Sequence, residues 1–368
     1  MRDEAVQAML PFLTERFANP SGSHRFARDT RKAVDEARDV VADVAGCKPG
    51  EVVFTSGGTE ADNTAIFGVL ARRPGIAVCS AAEHHAVLHA VEARGGTVVG
   101  VTSTGHIDLV QLEQALGPDV AIISVMAVNN EVGTITDMQA VRDVVRRAAP
   151  QAVLHTDAVQ AACWLDLRTV TPAVDLMSLS AHKFGGPKGV GALIARLGTP
   201  VGPLLVGGGQ ERERRSGTLN VPGIVAMAEA LRLTDLERVS ENQRLAALRD
   251  QLVHALVTEL DDVRETVDPA HKVPGSAHVL IAGIENEALL YLLDEAGVCA
   301  SAASACASGA MEPSHVLAAM GVPVEWATGA VRLTLGHAST AADVERASRV
   351  MIETVNRLRS GSARASAS

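Results

Sequence analysis

Aromatic residues are scarce: six Phe, two Trp and one Tyr make up 2% of 368 residues. Proteins that hold single-stranded nucleic acid stack bases on rings, so this composition argues against such a surface. Positive charge is also in deficit. Lys and Arg number 33 against 43 Asp and Glu, a net charge of -10, which argues against general attraction to nucleic acid or anionic membrane. A local basic pocket stays possible. No apolar run reaches membrane-spanning length. The opening M-R-D-E-A-V-Q-A-M-L has an acidic flank and a short apolar stretch, not the plan of a signal peptide. Cysteine is limited to Cys47, Cys79, Cys163, Cys299 and Cys306, an odd number without a C-x-x-C. Neither a disulfide framework nor a metal site is expected, and a cytoplasmic, reducing setting suits the pattern.

What is present is a large apolar fraction, 47%, carried by Ala, Val and Leu, with 32 Gly and 21% charged residues. That suffices for a sizeable core in two ordinary domains, or in one large domain with an appendage. Helical periodicity covers 3–17 and 24–45, the latter with Phe26, Ala33, Val34, Ala37, Val40, Val41 and Val44 on one face. From residue 51 short apolar runs at 51–55, 76–80, 97–101, 120–128 and 152–158 alternate with helical patterns at 59–72, 85–94, 108–116 and 137–149. This alternation predicts an α/β fold with a mainly parallel sheet covered on both faces. Runs at 175–181 and 190–196 have little helix between them and predict a hairpin or an antiparallel edge. A long helix is expected over 223–258, then a smaller α/β unit. Its strands are expected at 277–283, 299–303 and 330–335, and its helices at 285–296, 313–320 and 341–359, the last opened by a Thr340/Asp343 capping box.

Three segments carry chemistry. In S-L-S-A-H-K-F-G-G-P-K-G-V-G-A-L (178–193), Lys183 lies just past an apolar strand beside His182 and Ser180. A lysine partly withdrawn from water can become a Schiff-base amine, and Ser and His can donate to a phosphate. A surface lysine in a turn has the same short pattern. In T-S-G-G-T-E-A-D-N (55–63), Gly57 and Gly58 let the backbone approach a ligand, and a helix beginning at Thr59 favours an anion. A capped helix behind a flexible turn reads alike. In H-T-D-A-V-Q (155–160), Asp157 ends a strand and needs a partner such as a pyridinium nitrogen. Gln160 could meet the ring's phenolic oxygen; the alternative is an ordinary strand-end cap. All three segments sit at the C-terminal ends of expected strands, where open α/β sheets bind ligands. Together they point to pyridoxal 5'-phosphate.

The chain resembles the class V aminotransferase family of fold-type I pyridoxal-phosphate enzymes, and within it the NifS/IscS-like cysteine desulfurases. The resemblance rests on S-G-G-T-E-A-D-N, E-H-H-A-V, V-N-N-E-V-G, T-D-A-V-Q, S-A-H-K-F-G-G-P-K-G-V-G, G-G-G-Q-E-R-E-R-R-S-G-T, S-A-C-A-S-G and V-R-L-T-L-G, in that order. It runs from near residue 3 to about residue 358. It implies that Lys183 holds the cofactor as a Schiff base and acts as base and acid. His84 would stack on the cofactor ring and join in proton transfer. Asp157 would pair with the ring nitrogen and Gln160 with the phenolic oxygen. Gly58, Thr59, Ser180 and His182 would bind the phosphate, and Thr218 would reach the phosphate of a partner subunit in a homodimer. Asn130 and Arg332 would hold the substrate carboxylate; an arginine fork suits that task.

The resemblance makes Cys306, in a run of small residues, the nucleophile that takes sulfur from L-cysteine as a persulfide and releases alanine. The sulfur would pass to an acceptor or iron–sulfur scaffold protein. Cys47, Cys79, Cys163 and Cys299 read as structural. His85 and His89, one helical turn apart, read as a solvated helix face. Arg212, Arg214 and Arg215 border the phosphate or a dimer contact, or are solvated. Family members place an A-T-T-P-like segment before the first helix, and this chain begins after it. Ala303 and Ala307 stand where the family commonly has Gly and a hydroxyl residue. The expected division is 1–45, a helical segment packing with the small domain; 46–240, the cofactor domain; 241–360, the small domain; and 361–368, a disordered tail. Two other readings remain: a selenocysteine lyase or another class V enzyme, and a truncated, inactive scaffold or regulator.

Overall fold

The computed structural model describes residues 1–302 and 314–365. The chain divides into two units. One comprises Met1–Gly100, Ile107–Val128 and Thr136–Arg238, and the other Val101–His106, Asn129–Ile135 and Val239–Ser368.

Seven strands form the sheet of the larger unit: β1 (Val52–Thr55), β2 (Ile76–Ser80), β3 (Thr97–Val99), β4 (Val120–Ser124), β5 (Val153–Asp157), β6 (Leu176–Ser180) and β7 (Gly191–Ala195). Their order is β1-β7-β6-β5-β4-β2-β3. The pairs from β3 through β6 are parallel, and β7 is antiparallel to both β6 and β1. β6 and β7 form the expected antiparallel hairpin, and the pair is not at the edge of the sheet, because β1 adds outside β7. Every residue of β4, β5, β6 and β7 is buried, as near-continuous apolar strands covered on both faces require. Helices Gly58–Arg72 and His85–Glu92 supply Ala61, Ala65, Ile66, Val69, Val87 and Val91 to one face, against Ile122, Val153, Leu176 and Leu193. Burying an Ile66 or Leu193 side chain contributes about 1.5–3 kcal/mol.

The N-terminal helices belong to this larger unit, which corrects the expectation that residues 1–45 pack with the small one. The reason is local pairing. Arg2 N donates to Gly185 O at 2.8 Å, and its guanidinium meets Glu237 at 2.7 Å. Helix Arg25–Ala45 buries Val34, Ala37 and Val41 and ends at Gly46, whose φ of 68° suits a left-handed C-cap. Its Arg38 is held by Val52 O and by both carboxylate oxygens of Glu211.

The second unit carries an antiparallel sheet in the order β10-β9-β8, from β8 (Val263–Glu265), β9 (Ser276–Ile281) and β10 (Ala330–Thr334). Helices Asn286–Glu295, His315–Ala319, Val324–Ala327 and Ala341–Ala365 accompany it. The three-residue β8 was too short to show a period. Thr340 and Asp343 form the expected reciprocal cap. The final helix continues through Ala365, five residues into the stretch expected to be disordered, because its Ser and Ala residues do not interrupt a helix already under way. The expected strand at 299–303 is reduced to an isolated bridge of Ser301 with Arg332. Val298 takes the inward position, so Cys299 is exposed and is not a core residue. No helix of the described residues is long and apolar enough to cross a membrane.

Candidate active site

The sheet gathers the predicted residues of the larger unit at the C-terminal ends of its parallel strands. After β1 the chain turns through Gly57, whose φ of 151° and ψ of -174° lie where L side chains rarely go, and enters helix Gly58–Arg72. A Cβ on Gly58 would meet Val159 Cγ2 at 2.7 Å and Ser180 Cβ at 3.6 Å. The loop therefore lies directly on the ends of β5 and β6. The first amides of a helix have no intrahelical acceptor and offer donors to an anion. Thr59 is exposed at that end. Ser180, buried at the end of β6, has its Oγ 2.9 Å from His182 Nδ1. Burial, then the neighbouring Lys183 and Lys188, push the His182 pKa down, so its imidazole stays neutral and one ring nitrogen can accept.

Asp157 ends β5, 4% exposed, and accepts from Val159 N at 2.8 Å. Burial raises its pKa to about 6, while Lys183 opposes the rise. The exposed Lys183 and the buried Asp157 therefore act on each other. Gln160 is half-buried one turn beyond. His84 follows β2 and caps helix His85–Glu92 by accepting from Ala86 N at 3.1 Å through Nδ1. That cap fixes the ring's orientation. His85 and His89 stack with centroids 4.8 Å apart, and His89 is exposed. No group of three or more His, Cys, Asp or Glu among the described residues could hold a metal ion.

The G-G-G-Q-E-R-E-R-R-S-G-T segment contains three successive left-handed residues, Glu211, Arg212 and Glu213, at φ 49°, 57° and 65°. Such conformations cost roughly 1–2 kcal/mol each. The buried Glu211 holds the turn by accepting from Arg38 twice and from Phe54 N. Arg215 is paired with Glu60 at 2.8 Å, and Arg214 donates to Gly50 O, so two of the three arginines have structural partners. Thr218 is exposed just beyond.

In the second unit, Arg332 on β10 donates from Nη1 to Asn130 O at 2.5 Å. The Asn130 Oδ1 is buried without a hydrogen-bond partner. The turn around it is set by Asn129, whose Oδ1 accepts from Glu131 N and Val132 N. Asn130 and Arg332 are thus brought together within one unit.

Cys306 lies outside the described residues, as do Ala303 and Ala307. Of the other cysteines, Cys79 is buried, and burial raises its thiol pKa. Burial likewise pushes Cys47 and Cys163 up to about 12. A thiol held neutral in this way is a poor nucleophile. Residues that sequence reasoning missed are Asp62, Glu83 and His155, all buried behind Asp157. Asp62 carried a signal: it shares the inward face of its helix with Ala65, Ile66 and Val69.

The class V aminotransferase model matches residues 1–347. A cysteine desulfurase IscS of Dictyoglomus turgidum is 42% identical over 98% of this chain and 93% of its own length. A cysteine desulfurase IscS of Methanosarcina thermophila is 41% identical over 98% and 90%. Among solved structures, a NifS-like protein superposes with a TM-score of 0.90 at 33% identity, covering 97% of both chains. SspA in complex with cysteine superposes with 0.79 at 30% identity, over 91% and 95%. The chain belongs to the class V aminotransferase family.

Proposed function

We propose that this protein is a cysteine desulfurase that uses pyridoxal 5'-phosphate to convert L-cysteine to L-alanine and carries the sulfur on Cys306. The observation that carries the reading is the grouping of a Cβ-free cradle at Gly57–Gly58, Ser180 and His182 with the opposed pair Lys183 and Asp157. The curated relatives named cysteine desulfurase support it over nearly the whole chain.

The donor set suits pyridoxal phosphate. Gly58 and Thr59 amides, Ser180 and His182 would take its phosphate, Asp157 its ring nitrogen, Gln160 its phenolic oxygen and Lys183 its aldehyde carbon. When bound, that group supplies an electron sink for the substrate's α-carbon. The protein's own part is to place charge and protons. Asp157 would hold a negative charge at the ring nitrogen. The Lys183 amine moves a proton at the substrate carbons. The capped His84 ring would stack on the cofactor ring and take part in proton transfer. Arg332 and Asn130 would grip the substrate carboxylate. The Cys306 thiolate would take the substrate's sulfur atom. Thr218 would serve the partner's phosphate in a homodimer, and an acceptor or iron–sulfur scaffold protein would receive the sulfur.

The test is mass spectrometry of the purified chain after cysteine is added. Wild type gains one sulfur atom at Cys306 and releases alanine, and Cys306→Ala retains cofactor absorbance without the added sulfur. Persulfide on another cysteine of wild type would transfer the assignment away from Cys306.

A further inference from the structure

The polar row behind Asp157 is larger than the proposed chemistry uses. Ser124 of β4 lies beside His155 of β5 in register, and Ser178 of β6 lies beside Asp157. His155 and Asp157, two residues apart on one strand, share a sheet face. Helix Gly58–Arg72 packs on that face and brings Asp62 to it. Ser124, His155, Ser178 and Asp62 are each 1% exposed or less.

The row is joined by hydrogen bonds. Ser124 Oγ is 2.7 Å from His155 Nδ1, and Ser178 Oγ is 2.9 Å from His155 Nε2. Ser178 also hydrogen-bonds the Asp62 carboxyl. Burial pushes the His155 pKa down to about 3, so the ring is neutral, with one donor and one acceptor nitrogen. Each serine faces one of the two ring nitrogens, and the tautomer decides which nitrogen donates. The row ends at Asp62, whose Oδ1 is buried with no hydrogen-bond partner. His155 Nε2 is 3.7 Å from that oxygen and already committed to Ser178. The other ionisable groups acting on Asp62 are Asp157 and Glu83, both acidic. Lys183 acts on Asp157, and Glu83 accepts from Met126 N at 2.7 Å. A buried carboxylate with a bare oxygen and two acidic neighbours is costly, and protonation removes that cost.

We propose that Asp62 is a positioning residue that keeps its carboxyl proton at working pH, closing the Ser124–His155–Ser178 row and leaving Asp157 to carry the negative charge toward the cofactor. The inference rests on the reading of Asp157 as the partner of the ring nitrogen. It gives the like-charged neighbours different states, as paired carboxyl groups in one site commonly have.

The test uses the holoenzyme with carbon-13 at its aspartate carboxyl carbons. In wild type one aspartate resonance stays at its protonated position at about pH 7.5, above the Asp157 midpoint, and Asp62→Asn lacks it. Thermal unfolding supplies the second reading. A carboxyl whose folded pKa is raised loses its stability contribution as pH rises above about 4, so Asp62→Asn gains on wild type between about pH 5.5 and 8.5. Asp62→Ala, which leaves Ser178 without its carboxyl partner, weakens cofactor retention, and the neutral, hydrogen-bonding Asp62→Asn restores it. Absence of a protonated aspartate in wild type would overturn the proposal, even if the variants failed to fold. So would a stability difference for Asp62→Asn that is the same at both pH values. If the protonated resonance is present but Asp157→Asn binds cofactor as wild type does, the reading of Asp157 has failed and the proton on Asp62 stands.

Discussion

Two buried polar clusters of the larger unit use charge in opposite ways. At Arg38–Glu211 a guanidinium meets a carboxylate through two bonds, 2.9 and 2.6 Å long, and the remaining valence goes to Phe54 N and Val52 O. Behind the site, Asp62, Glu83 and Asp157 face one another, and burial raises the pKa of all three. The first cluster is satisfied within the fold and holds a strained turn. The second is left short of positive charge by the core itself, with Lys183 facing Asp157. A fold that tolerates such a deficit in its centre has a use for it, and a cationic ring nitrogen is the partner that would complete it.

Variants that break each cluster should separate stability from activity. The largest expected effect is on the paired cluster: Arg38→Ala should lose about 3–5 kcal/mol in denaturant unfolding, because Glu211 is left buried and uncompensated. Asp157→Asn should do the reverse. It should lower cysteine turnover on the order of a hundred-fold, about 2.7 kcal/mol of transition-state stabilisation. Its unfolding midpoint at neutral pH should not fall below wild type.

The third expectation is a pH slope. His155 has a folded pKa near 3, below its unfolded value, so the unfolded chain binds the extra proton as pH falls below about 6.5. Stability from His155 is therefore present above that pH and lost on acidification. His155→Gln should flatten the acid limb by up to about 1.4 kcal/mol per pH unit. Asp157, with its folded pKa raised to about 6, contributes with the opposite sign: its share is lost as pH rises from about 4 to 6. The two variants should tilt the stability profile in opposite directions when unfolding is followed across that range. The smallest effect belongs to Cys299→Ser. Its exposed thiol should change stability by less than about 0.5 kcal/mol and leave sulfur transfer intact.

The layers of the fold were legible because buried parallel strands have no alternation and surface helices have a 3.6-residue stripe. Runs such as V-A-I-I-S and the stripe through Val34, Ala37 and Val41 state both. The places of the Gly57–Gly58, Asp157 and Lys183 segments could be read because each joins an apolar strand to a turn. Three things were hidden. The packing of residues 1–45 depends on Arg2 and Arg38 finding carboxylates roughly two hundred residues away, which no local pattern encodes. The exposure of Cys299 depends on which side of a short segment Val298 takes. The acidic cluster of Asp62, Glu83 and Asp157 comes from a helix, a loop and a strand, and only tertiary packing brings them together.

The central claim is that this site releases alanine from cysteine by means of Lys183. Its most direct test is to supply L-cysteine to the cofactor-loaded wild type and to Lys183→Ala, and to quantify alanine and sulfide in the presence of a thiol reductant. Wild type is predicted to form the two products in equal amounts and Lys183→Ala neither. Absence of alanine from the wild-type reaction, or undiminished alanine from Lys183→Ala, would contradict it.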